Sequence, residues 1–156
     1  MLRHTLKTLT MLTLVVGMTI FVVSVNSQSA SRRVVANIPF DFIVGDNTLP
    51  SGKYTVSAAA SNSDAVRITS RDGRSSAMRL SNLVAAKIEN RSAKMVFHRY
   101  GQRYFLAEVW SGGNYGHRLL QCRTERDLRR ELASNPSKTD STTGTYETVE
   151  VVALLQ

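Results

Sequence analysis

Beyond its first thirty or so residues, the chain consists of short runs of alternating or β-branched side chains, cut by turn-forming residues at intervals of about ten residues. A two-residue period presents one face of an extended strand for burial. A chain patterned this way therefore closes a core by pairing many short strands rather than by packing helices. Its 156 residues allow one such domain. Cys122 is the sole cysteine, so no internal disulfide braces the fold and the apolar core must hold it together. The thiol itself reads as a small buried apolar group.

The amino-terminal segment is patterned differently. Arg3 and Lys7 precede an apolar run from Leu9 to Val25, followed by the small and polar stretch Asn26-Ser27-Gln28-Ser29-Ala30, which is the layout of an export signal. Val25 and Ser27 stand where a signal peptidase accepts small or modest side chains. Cleavage is expected after Ser27, with Ala30 the next exit, giving a signal peptide over 1–27 and a single all-β domain over 28–156. The expected location is periplasmic or extracellular. An uncleaved N-terminal membrane anchor is the alternative, weakened by Thr10, Thr13, Gly17, Thr19 and Ser24 within the run. No cysteine follows the run to carry a lipid, and no transmembrane segment is expected after cleavage.

Eight strands are predicted in the domain. The first, from Val34 to Val44, carries Ile38, Phe40, Phe42 and Val44 on one face, and Pro39 makes it an edge strand or bends it. Leu49-Pro50-Ser51-Gly52 fits a type I turn leading into Lys53 to Ala59. Strands from Ala65 to Ser70 and from Ser75 to Ala86 flank Arg71-Asp72-Gly73-Arg74. There a three-residue loop with Gly73 left-handed would pair Val66 with Met78, whereas a two-residue Asp-Gly loop would pair Val66 with Arg79. Burial of Met78 beside Ile68 favours the former. Gly101-Gln102 suits a type II′ turn that pairs Tyr100 with Arg103, Arg99 with Tyr104 and Phe97 with Leu106. Strict alternation then puts Glu108 on the face of Met95, Phe97, Leu106 and Trp110, and His98 on the opposite one. The glycine-rich stretch from Ser111 to Gly116 reads as a loop before a strand from His117 to Cys122.

One helix is predicted over about 124–133, with Thr124 as its cap, Leu128 and Leu132 on the docking face and Arg123, Arg126 and Arg130 opposite. Asn135-Pro136 stops it, a polar loop occupies about 135–145, and the strand from Tyr146 to Leu155 returns to the first. The architecture expected is all-β: an antiparallel meander of about eight strands forming a flattened barrel or a two-sheet sandwich, with one short helix before the last strand.

The run Ile38-Pro39-Phe40-Asp41-Phe42, with Val44-Gly45, Leu49-Pro50, Gly52 and Tyr54, resembles the opening of an uncharacterised group of small exported bacterial all-β proteins. Phe97-His98-Arg99-Tyr100-Gly101, Tyr104-Phe105-Leu106 and Trp110 resemble its middle. The likeness spans most of the domain and rests on packing and turn residues. It implies export and the fold, and it carries over no site residue.

The residues offer little catalytic chemistry. After cleavage only His98 and His117 remain, at no ligand spacing, and without a cysteine pair no metal site is expected. No cofactor is implied, since the Ser111–Gly116 stretch lacks the ending of a phosphate-binding loop, and no nucleophile elbow is present. Removing Arg3 and Lys7 from the 20 basic residues leaves 18 against 12 acidic, a net charge of +6. Most of these are arginine, which suits an anionic envelope component or a protein partner; without a dense basic block, nucleic acid is disfavoured. Arg99, Tyr100, Arg103 and Tyr104 gather at a hairpin tip, as contact residues do, or pair among themselves by cation–π contacts. Glu108, among apolar neighbours near Trp110, either pairs with an arginine such as Arg99 or lines a functional cavity. The leading expectation is an exported, non-catalytic binding module. A barrel carrying a small apolar or amphipathic ligand and a small enzyme using Glu108 with His98 are the alternatives.

Overall fold

The computed structural model describes residues 33–60, 63–134 and 146–156, with the backbone alone over 87–91. The export signal with its Ser27 cleavage point and the polar loop over 135–145 lie outside the described residues. The chain forms β1 (Val34–Ile38), β2 (Phe42–Val44), β3 (Asn47–Leu49), β4 (Gly52–Ala58), β5 (Ala65–Ser70), β6 (Ser76–Tyr100), β7 (Arg103–Leu119), helix α1 (Arg123–Ser134) and β8 (Glu147–Leu155).

These strands make one mostly antiparallel sheet in the order β3-β2-β7-β6-β5-β4-β1-β8, and a further pairing of β8 with β6 closes it into a barrel. The choice between barrel and sandwich is thus decided for the barrel. The C-terminal end of β8 pairs with β1 and the rest of it with β6. Arg33 and Gln156 exchange backbone hydrogen bonds of 3.0 and 2.8 Å at this seam.

The eight strands among the described residues agree in number with expectation, but their division does not. Pro39, which has no amide hydrogen to donate, interrupts the first predicted strand and leaves β1 and β2 on either side of a bend. Asp41 turns outward there and accepts the Ser51 amide at 2.7 Å. The strand expected to end at Ala86 continues past it, and the loop expected at 111–116 is absent, because β6 and β7 run on as one long hairpin. Gly112 and Gly113 take φ of +77° and +84°, so the glycines supply irregularities within a strand rather than a loop.

The barrel interior is filled by its own side chains. Ile38, Phe42, Val44, Tyr54, Val66, Ile68, Met95 and Phe97 are almost wholly buried. Phe97 meets Phe40 and Phe42 edge-to-face at 5.2 and 5.5 Å, and Phe42 meets Tyr54 likewise at 5.0 Å.

The β5–β6 register differs from the expected one, since Val66 faces Arg79 and Ile68 faces Ala77. Four residues, not three, form the connection: Gly73 donates to the Ser70 carbonyl and Ser70 to that of Ser75. Gly73 is left-handed as expected, but the longer loop turns Met78 outward, 53% exposed, and brings the smaller Ala77 against Ile68.

Asp72 accepts the Ser70 hydroxyl at 2.6 Å and the Arg74 amide at 3.2 Å. Chiefly the Ser70 bond, and then the Arg74 amide, hold its carboxyl below the ordinary aspartate value. A depressed folded-state value means that the stabilisation is complete above the unfolded-state value and vanishes as pH falls through the folded one. The native protein is therefore expected to be more stable than Asp72→Asn at neutral pH, with the two acid-unfolding curves converging at low pH. Curves separated by a constant amount down to full protonation would rule the carboxylate charge out as the cause.

Candidate functional site

A bulge decides what the outer wall of the barrel presents. Val96 pairs with Glu108, but its neighbour Phe97 pairs with Leu106, so Ala107 is the extra residue and the inside–outside alternation of β7 switches there. Leu106 and Val109 both point inward with Met95 and Phe97. Glu108 and Trp110 turn outward, to the face of Lys94, Val96 and His98. The expected placement of Glu108 opposite His98 is thus corrected, for a reason that strict alternation cannot contain.

Helix α1 lies on this outer face. Cys122, not Thr124, caps it: the Cys122 carbonyl accepts the Arg126 amide at 3.1 Å and the buried sulfur accepts the Glu125 amide at 3.4 Å. Leu128 and Leu132 pack against Tyr100, Phe105 and Cys122, while Arg123, Arg126 and Arg130 are exposed, as their spacing predicts. The third residue on the docking stripe is Glu125. It is 4% exposed and the only fully buried residue of the helix.

Three side chains converge on one oxygen of this buried carboxylate. His98 Nδ1 lies 2.8 Å from Glu125 Oε1, the Tyr100 hydroxyl donates to it at 3.4 Å and Gln121 Nε2 at 3.5 Å. Burial first, and the Glu125 charge next, push the Tyr100 phenol well above its usual range, which keeps it a donor. The Tyr146 ring lies against the His98 imidazole, centroids 4.1 Å apart.

Glu108 is also fully engaged. Arg118 Nε donates to its Oε1 at 2.8 Å and Trp110 Nε1 to its Oε2 at 2.9 Å. Its ionic partner is an arginine, but Arg118 rather than Arg99. Glu108 makes no hydrogen bond with His98 among the described residues, although both line the same hollow.

Two adjoining cavities open along this face. One, of 340 Å³, is lined by His98, Glu108, Arg118, Gln121, Glu125 and Tyr146 among others. The other, of 460 Å³, continues over Lys94, Val96, Trp110, Thr148 and Glu150. They share His98, Glu108, Arg118 and Tyr146, and Lys94 bridges to Glu150 at 2.7 Å in the lining of the second.

Of the six residues singled out in the sequence, Glu108 and Trp110 line the groove. Tyr100 lies beneath α1, 5% exposed, and reaches the groove through Glu125 and the Tyr146 ring, 5.5 Å away. The other three stand apart. Arg99 stacks over Tyr104 at 5.6 Å and bridges to Glu147 at 3.1 Å, Tyr104 stacks on Phe40 at 3.9 Å, and Arg103 covers Phe105 at 5.6 Å. Two of these are the cation–π contacts expected within the tip cluster. Sequence reasoning missed Glu125, Arg118 and Tyr146. Glu125 carried a usable signal, since it lies three residues before Leu128 on the same helical stripe.

The second histidine sits elsewhere. His117 Nδ1 is 3.1 Å from Ser81 Oγ, but that hydroxyl already donates to the Asp64 carbonyl at 2.7 Å, so the serine is a buried structural link. No group of three His, Cys, Asp or Glu side chains among the described residues is arranged to hold a metal ion. Comparison with protein-family models, with curated proteins and with solved structures finds no match for this chain.

Proposed function

We propose that this protein is an exported binding module without chemistry of its own, and that the groove beside α1 is where its partner docks. The observation that carries the reading is the continuity of the two cavities over the outer faces of β6, β7 and β8, with charged, aromatic and amide groups converging on them. Such a concave surface with a few fixed polar groups is how folded domains recognise ligands. Among the described residues the interior aromatic side chains pack on one another, which favours the outer groove as the place where a ligand is received. The partner is an anionic envelope component or an envelope protein, in keeping with the arginine excess.

Co-sedimentation of the purified protein with envelope fractions tests this. Binding is expected at low salt, weakened at physiological salt, and lost in Thr148→Trp, which fills the groove from an exposed position opposite His98. Arg118→Ala, at a side chain 61% exposed, is expected to weaken it without unfolding the barrel. Native-like binding by Thr148→Trp, or none by the native protein even at low salt, would remove the reading.

A further inference from the structure

We infer that the deep end of the groove recognises a primary ammonium or guanidinium group, presented as a lysine or arginine side chain of a protein partner. This deepens the binding reading and rests on it, and it selects the protein over the anionic component.

The distribution of donors and acceptors carries the inference. All three hydrogen bonds to Glu125 end on Oε1; no described residue donates to Oε2. The side chain is only 5% exposed, yet none of its polar atoms is both sealed and unpartnered. The remaining oxygen is therefore reached from the 340 Å³ cavity that Glu125 lines. His98 lines the same cavity with its Nδ1 engaged by Glu125. The Tyr146 ring beside it supplies an aromatic wall of the kind cations favour.

Arg118, the one arginine or lysine among the described residues lining this cavity, is already matched to Glu108 at 2.8 Å and is 61% exposed. What Glu125 Oε2 lacks is a donor, and a charged one matches it best. An ammonium or guanidinium supplies a donor to the free Glu125 oxygen and carries the opposite charge, where charge-assisted bonds are strong. The net positive charge of the chain does not oppose this, since exposed charges beyond about 8 Å are screened at physiological salt while the buried pair is not. A divalent ion is a poorer occupant, given that no three-ligand set exists among the described residues.

The test uses the intact purified protein and NMR titration, following the His98 ring resonances. The probes are Nα-acetyl-lysine methylamide, its Nζ-acetylated form, a lysine-containing peptide, the same peptide acetylated on lysine, and free cadaverine. The charged lysine probes are expected to bind at least about tenfold more tightly than their acetylated forms. Peptide binding tighter than cadaverine assigns the group to a polypeptide, and the reverse order overturns that assignment. Glu125→Gln, which keeps the shape and an acceptor for Tyr100, is expected to lose about tenfold for charged probes and nothing for acetylated ones. The acetylation comparison on the native protein stands even if that variant does not fold. Equal affinity for charged and acetylated probes overturns the inference. So does failure of all of them while envelope binding remains sensitive to Thr148→Trp, an outcome that leaves the binding reading intact.

Discussion

Gly116→Ala is expected to destabilise the protein by about 2–3 kcal/mol, although it adds a single methyl group at a backbone conformation open to any residue. A Cβ there would stand 2.6 Å from Trp110 Cδ2 and Cε3 and 3.0 Å from Cε2, far inside van der Waals contact. The indole cannot retreat cheaply. It is 7% exposed, and its Nε1 is tied to Glu108 at 2.9 Å. Gly73→Ala separates this from a backbone effect: Gly73 has φ of +72° and nothing within 4 Å of a Cβ, so its cost comes from conformation alone and is expected at about 1 kcal/mol. Urea unfolding of Gly116→Ala, Trp110→Leu and the double variant measures the contact. Because the smaller leucine vacates the space, the double variant is expected to be more stable than the sum of the single effects predicts, by at least about 1 kcal/mol. Strict additivity would mean that the ring and the methyl group never compete.

Elements whose local chemistry is self-sufficient were legible in the sequence. The Gly101-Gln102 turn determines its own register, and the structure shows the expected pairs from Tyr100–Arg103 to Phe97–Leu106. The Leu128–Leu132 stripe likewise located α1 and its buried side within about a residue. Legibility ended where two local solutions had similar worth. At Arg71–Arg74 both registers bury a sensible face, and the length of the loop, not the burial of Met78, decides between them. At 111–116 glycines serve a bulged strand as readily as a loop, and only the partner strand distinguishes the two.

The candidate site was less legible than the fold, for a related reason. Glu108 was recognisable as an unusual residue, but the bulge at Ala107, which carries neither glycine nor proline to announce it, turns it from the core to the groove. The groove also draws on residues far apart in the chain, since Glu125 lies 27 residues from His98. No spacing rule connects them. They meet because α1 folds back over β6 and β7.

Removing the Glu125 carboxylate should be the most costly polar substitution in the molecule. Glu125→Ala is expected to lower stability by about 3–5 kcal/mol, the range for deleting one partner of a buried ionic or hydrogen-bonded set. The estimate needs little discount for screening, because Glu125 and His98 side chains are 5% and 17% exposed. The loss arises from what stays behind: Tyr100, 5% exposed, and His98 would both lose the acceptor that they share. Since Leu128 and Leu132, both half-buried, are the apolar contacts of α1 with the barrel among the described residues, the helix should loosen before the sheet does. Native-state hydrogen exchange is expected to show lost protection over 123–134, with the β4–β5 core retaining its own. His98→Ala in the Glu125→Ala background should cost much less than it does alone, a coupling of about 1–3 kcal/mol. Glu125→Gln, which still offers an oxygen to Tyr100, should fall between native and alanine. A Glu125→Ala protein within about 1 kcal/mol of native, with α1 amides still protected, would show that the two leucines suffice and that the carboxylate is free for another purpose.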